Sequence, residues 1–159
     1  MRLKFVKDED FVNYRKPSMF IGLGRCDWKC CHEQGISEQI CQNYDWIKQP
    51  EIIYPMPDLV ERYIQNRITS AIVIGGLEPL LQFREVIDLV RELRKSTLDD
   101  IVIYTGYYPE EIEQEVRELA YYKNIIMKFG RFILNDTPRY DDVLGITLAS
   151  SNQYGKKIS

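Results

Sequence analysis

The chain has 159 residues, a net charge of −3, and 45% hydrophobic against 28% charged residues. That is a one-domain length with enough apolar side chains for a core, and it excludes disordered, collagen-like and coiled-coil chains. Near-neutral charge without a Lys/Arg block gives no electrostatic case for binding nucleic acid or membrane. The first residues, Met1-Arg2-Leu3-Lys4-Phe5, contain no apolar targeting segment, and no aliphatic run approaches the ~20 residues that span a bilayer. The expectation is a single cytoplasmic domain over residues 1–159.

The N-terminal third reads as irregular, with one strand at Ser18–Gly22 that leads into a cysteine-rich segment. After Pro57, Leu59, Val60, Tyr63 and Ile64 recur at helical spacing, and Asp58 sits in the first turn, where the helix dipole favours a carboxylate. Ala71-Ile72-Val73-Ile74, closed by Gly75-Gly76, fits a strand buried on both faces. Val86, Leu89, Val90 and Leu93 mark the next helix, and Ile101–Tyr104 the next strand. Pro109 with Glu110 and Glu111 makes a helix start, followed by the stripe Ile112, Val116 and Leu119. Asn124–Lys128 is a further strand, and Gly145–Leu148 a short one.

Strands that alternate with helices of this length imply parallel βαβ units and an α/β fold. Ligands of such sheets sit at the carboxyl ends of the strands. Three marked segments fall there: the cysteines after Phe20–Gly22, Gly75–Pro79 after Ile74, and Thr105-Gly106-Tyr107 after Tyr104. Their convergence on one rim predicts a site.

All four cysteines, Cys26, Cys30, Cys31 and Cys41, lie in one short stretch. A disulfide framework would spread them along the chain, so a local cluster points to metal binding or thiol chemistry. Soft thiolates suit zinc, copper(I) and iron–sulfur clusters, and the residues alone leave zinc, a cluster and incidental thiols open. His32, the only histidine, reads as a surface residue. Glycines at Gly75–Gly76 fit a plain strand-to-helix turn, or a loop whose backbone approaches a ligand. The eleven tyrosines read as packing.

Taken together, these segments resemble the radical S-adenosylmethionine enzymes, and among them the small activating proteins of anaerobic ribonucleotide reductase. Cys26-x3-Cys30 is similar to the opening of that family's cluster motif, and Cys41-Gln42-Asn43 to its closing Cys-Tyr-Asn. Gly75-Gly76-Leu77-Glu78-Pro79 resembles the loop that holds the methionine amino group, and Tyr104-Thr105-Gly106-Tyr107 a segment of the activating proteins. Lys128–Phe132 and Ala149–Gln153 resemble their C-terminal elements. Two departures stand out. Glu33 occupies the usual place of the third cysteine, so the third ligand is expected at Cys41 through an insertion, and Leu77 replaces a loop glycine.

The resemblance implies an incomplete α/β barrel of mainly parallel strands. A [4Fe–4S] cluster is expected on Cys26, Cys30 and Cys41. S-adenosylmethionine is expected against Gly75, Gly76, Leu77, Glu78, Pro79, Ile40, Asn43, Tyr104, Thr105 and Gly106. The implied reaction is reductive cleavage of S-adenosylmethionine to a 5′-deoxyadenosyl radical, which leaves a glycyl radical on a partner such as the large subunit of anaerobic ribonucleotide reductase. A flavodoxin- or ferredoxin-type donor would supply the electron. The alternatives are a radical enzyme of the same family with another substrate, and a non-catalytic zinc or iron–sulfur module. Adjacent cysteines in an extended segment point apart, which predicts Cys31 as a bystander, and Gly35 offers the backbone for the loop to fold back.

Overall fold

A computed structural model describes residues 1–159. In chain order the strands and helices are β1 (Arg2–Asp10), β2 (Ser18–Leu23), α1 (Lys29–His32), α2 (Tyr44–Lys48), β3 (Ile52–Ile53), α3 (Met56–Gln65), β4 (Ala71–Gly76) and α4 (Phe83–Leu93). They continue as β5 (Asp100–Tyr104), α5 (Glu113–Leu119), β6 (Ile125–Phe129), β7 (Arg139–Asp141), β8 (Ile146–Leu148) and β9 (Tyr154–Lys157). Short 3-10 turns stand at Glu38–Ile40, Pro79–Gln82 and Pro109–Glu111.

The helical periodicity reads through directly: Val86, Leu89, Val90 and Leu93 of α4 and Leu59 and Tyr63 of α3 are buried against the sheet. At Pro109 the chain first makes a 3-10 turn, in which the Glu111 carboxylate accepts the Tyr108 N–H at 2.8 Å, and α5 begins only at Glu113.

The main sheet has the order β3-β1-β2-β4-β5-β6-β9. Its centre, β2-β4-β5-β6, is parallel as expected, while β1, β3 and β9 join antiparallel. This corrects the expectation of an irregular N-terminus. β1 escapes a period-2 reading because its register shifts twice, between Leu3 and Phe5 and between Lys7 and Asp10, which breaks the alternation of buried positions. The edges β3 and β9 do not pair with each other, so the fold is an open mixed α/β sheet and not a closed barrel.

Each central strand divides its side chains between two cores. Ile21, Ile72, Ile74, Ile101, Ile103, Ile125 and Met127 face the helices. Phe20, Val73, Val102 and Ile126 face the other side, where Tyr14, Leu144 and Leu148 complete a smaller core. The strand ends above this second core carry the site.

Candidate metal centre

A cavity of about 510 Å³ opens at the carboxyl ends of the parallel strands. Its wall includes Cys26, Cys30 and Cys41, the Gly76-Leu77-Glu78 loop, and Tyr104-Thr105-Gly106. Phe20, Trp46, Tyr104, Ile146 and Leu148, which also belong to the second core or pack on it, give the cavity an apolar side. The three sequence-marked loops therefore meet.

Cys26 and Cys41 share one local geometry: each sulfur accepts a backbone N–H from two residues on, Trp28 at 3.4 Å and Asn43 at 3.5 Å. Trp28 reaches this position with φ +56. Donors of this kind stabilise a thiolate and tune a cluster's sulfurs. Without a metal, burial pushes the Cys26 thiol up to about 12, and the hydrogen bond with Cys30 together with burial raises Cys41. No three His, Cys, Asp or Glu side chains close around one point to hold a single metal ion. Cys26, Cys30 and Cys41 instead border one cavity, and three soft thiolates are a donor set that fits an iron–sulfur cluster.

Cys31 is fully buried and off the cavity wall. The segment is helical and not extended, and the Cys30 and Cys31 sulfurs lie 3.8 Å apart, so adjacency does not separate them as expected. Burial does. Gly35 takes φ +63, and Ile36 N–H closes back on the Cys31 carbonyl at 3.1 Å, the reversal that precedes the turn to Cys41.

Glu33 is engaged elsewhere. Its carboxylate lies 2.8 Å from Arg131 Nε, and the other guanidinium nitrogens hold Glu111 at 2.9 and 2.6 Å. Arg131 in turn stacks over Tyr108. Gln34 extends the tie: its side-chain amide donates to the carbonyls of Cys30 at 2.6 Å and Phe132 at 2.8 Å, and its oxygen accepts the Leu134 N–H. These contacts fasten the cysteine segment to the chain after β6.

The glycine loop is held by Glu78, whose side chain is 6% exposed. One carboxylate oxygen accepts the Leu80 N–H and the Thr105 hydroxyl, and the other accepts the Gly106 N–H. Glu78 thus joins the β4 and β5 loops, and burial raises its carboxyl to about 7. Gly76 needs to be glycine because its φ is +87 and an added Cβ would stand 3.1 Å from Gly22 Cα in β2. The close approach is to a neighbouring strand. Asn43 joins the cysteine segment to this loop by donating to the Gly76 carbonyl at 2.7 Å.

Of the residues marked in the sequence, Cys26, Cys30, Cys41, Asn43, Gly76, Leu77, Glu78, Tyr104, Thr105 and Gly106 line the cavity. Ile40, 43% exposed in its 3-10 turn, does not border it, nor do Gly75, whose Cα faces Phe20 and Tyr104, and the buried Pro79. Tyr107, part of the marked Thr105–Tyr107 segment, also lines the cavity, while Lys128, Arg131 and Trp46 stand on the same wall without having been marked as site residues. Lys128 had a usable signal, a charge inside the run Ile125-Ile126-Met127-Lys128-Phe129. Tyr107 donates its hydroxyl to Asp27 at 2.5 Å.

A family model described as a 4Fe-4S single cluster domain matches residues 23–153. The chain belongs to this family, and the match runs from the end of β2 through the last loop that lines the cavity. No curated protein matches the chain. No helix is long and apolar enough to cross a membrane.

Proposed function

We propose that this protein is a radical S-adenosylmethionine enzyme that generates a glycyl radical on a partner such as anaerobic ribonucleotide reductase. The observation that carries the reading is the meeting of three thiols, the glycine loop and the Thr105–Gly106 segment on one cavity at the strand ends. In this reading the open sheet is an incomplete barrel, and the domain is one unit over residues 1–159. Cys26, Cys30 and Cys41 would hold the cluster. When bound, the cluster and S-adenosylmethionine supply one-electron cleavage of the sulfonium carbon–sulfur bond.

The chain's own residues supply position and exclusion of water. Glu78 fixes the spacing of the β4 and β5 loops, because both of its oxygens are committed to donors on Leu80, Thr105 and Gly106. Asn43 keeps the cysteine segment in register with the Gly76 loop. Leu77, 7% exposed, presents an apolar side chain where the family has glycine, and so narrows the cavity beside the glycine loop. The uncharged wall of Phe20, Trp46, Ile146, Thr147 and Leu148 suits an adenosyl group and a neutral glycine-bearing segment. A flavodoxin- or ferredoxin-type protein would deliver the electron.

Anaerobic reconstitution with iron and sulfide, followed by dithionite and S-adenosylmethionine, tests the reading. Release of 5′-deoxyadenosine with methionine supports it, and a glycyl radical signal on an added partner enzyme supports the activase role. A reconstituted cluster that never cleaves S-adenosylmethionine would leave a binding module in its place.

A further inference from the structure

Lys128 lies within the buried strand β6, one position before Phe129, and is directly opposite Tyr104 of β5. Its side chain lines the cavity, yet the residue is only 7% exposed. Its ammonium donates to the Gly130 carbonyl at 2.8 Å and forms no ion pair within 4.0 Å. An ammonium has three donors, so Lys128 stands in the cavity wall with most of its hydrogen-bonding capacity unused. Burying such a charge is costly unless an opposite charge is near. The two carboxylates on the same wall accept hydrogen bonds from other groups, Glu78 from Leu80, Thr105 and Gly106 and Asp27 from Tyr107 and the Lys29 N–H, and neither comes within 4.0 Å of the ammonium. Lys128 shares the wall of one cavity with Cys26, Cys30 and Cys41.

A cubane held by three thiolates is a net anion, and reduction adds one more negative charge. Resting on the cluster assignment above, we propose that Lys128 is the buried counter-ion of the cluster and sets its reduction potential. A fixed cation favours the more negative, reduced state, and in a low-dielectric wall its field is weakly screened. The step concerned is a one-electron reduction in which no bond forms or breaks and no proton moves. Lys128 acts here through the cluster's charge and is a positioning and tuning residue.

The test compares the reconstituted wild-type chain with Lys128→Met, Lys128→Gln and Lys128→Arg. Iron and sulfide content are measured first, then the midpoint potential by dithionite titration followed by EPR, with no S-adenosylmethionine present. The expected result is wild-type iron content in all four, a more negative midpoint in Met and Gln, and a midpoint near wild type in Arg. Full iron content with an unchanged midpoint in Met and Gln would overturn the role of Lys128 and leave the cluster site standing. Loss of iron in all three variants would make Lys128 a structural residue and overturn it as well. A wild-type chain that takes up no iron would instead remove the site on which the proposal rests.

Discussion

Asn43 Nδ2 donates to the Gly76 carbonyl at 2.7 Å across 33 residues of sequence, and with the Glu78 N–H donating to the Arg25 carbonyl at 2.7 Å it joins the cysteine segment to the glycine loop. The two loops bring different things to the cavity, thiols from one and backbone from the other. Their alignment therefore rests on the parallel pairing of β2 with β4, one backbone bond and the Asn43 side-chain amide.

Asn43→Ala removes the bond and leaves the Gly76 carbonyl free. A net loss of about 1 kcal/mol is expected, which is a fall of ~3 °C in melting temperature for a domain of this size. Asn43→Asp should be worse, because a carboxylate cannot donate to a carbonyl. Thermal melts of the apoprotein check both, and equal stability of wild type and Asn43→Asp would contradict the role.

Gly76→Ala tests the strained turn. At φ +87 a side chain costs roughly 1–2 kcal/mol, and the contact of its Cβ with Gly22 adds to that. The expected outcome is a clear loss of stability even before any ligand is added. A melt equal to wild type would mean that the loop relaxes and that glycine is dispensable there.

Glu33 is expected to be a clamp and not a ligand, because Arg131 already holds it at 2.8 Å. Glu33→Gln should keep full iron content after reconstitution, with a modest drop in stability. Loss of iron with a well-folded chain would instead make Glu33 a ligand.

Acid should loosen the same clamp. The Arg131 guanidinium beside Glu111 holds its carboxyl down to about 2, below the ordinary value of 4.5. A carboxylate whose folded pKa is depressed contributes stability above the unfolded value and loses it as pH falls towards the folded value. The contribution of Glu111 should therefore fade between about pH 4.5 and pH 2. Its partial exposure makes the effect small. In Glu111→Gln, apoprotein stability should be lower at neutral pH and flatter across that window, as followed by urea denaturation. Parallel curves for wild type and variant would contradict the assignment.

Much of the centre of the fold was legible because Ile72, Val73, Ile101 and Val102 are buried on both faces of a parallel sheet, and such strands read as unbroken apolar runs. β1 was not, since its bulges scramble the alternation that marks a strand with one buried face. The cysteine and glycine segments announced themselves by residue type. Glu33 did not announce its partner: Arg131 lies far along the chain, and only the return of β6 beside β5 brings the two together. Ile40 was marked by its place before Cys41, but the 3-10 turn from Glu38 directs it to solvent. Gly76 was marked for the right conformational freedom, which serves its contact with β2.

Iron content after anaerobic reconstitution, measured for one cysteine substitution at a time, tests the ligand set most directly. Cys26, Cys30 and Cys41 border the cavity, and Cys31 is buried behind it. Cys26→Ala, Cys30→Ala and Cys41→Ala should each lose the [4Fe–4S] signal and most of the iron, while Cys31→Ala keeps both. A Cys41→Ala chain that assembles a full cluster, or a Cys31→Ala chain that cannot, would contradict the assignment.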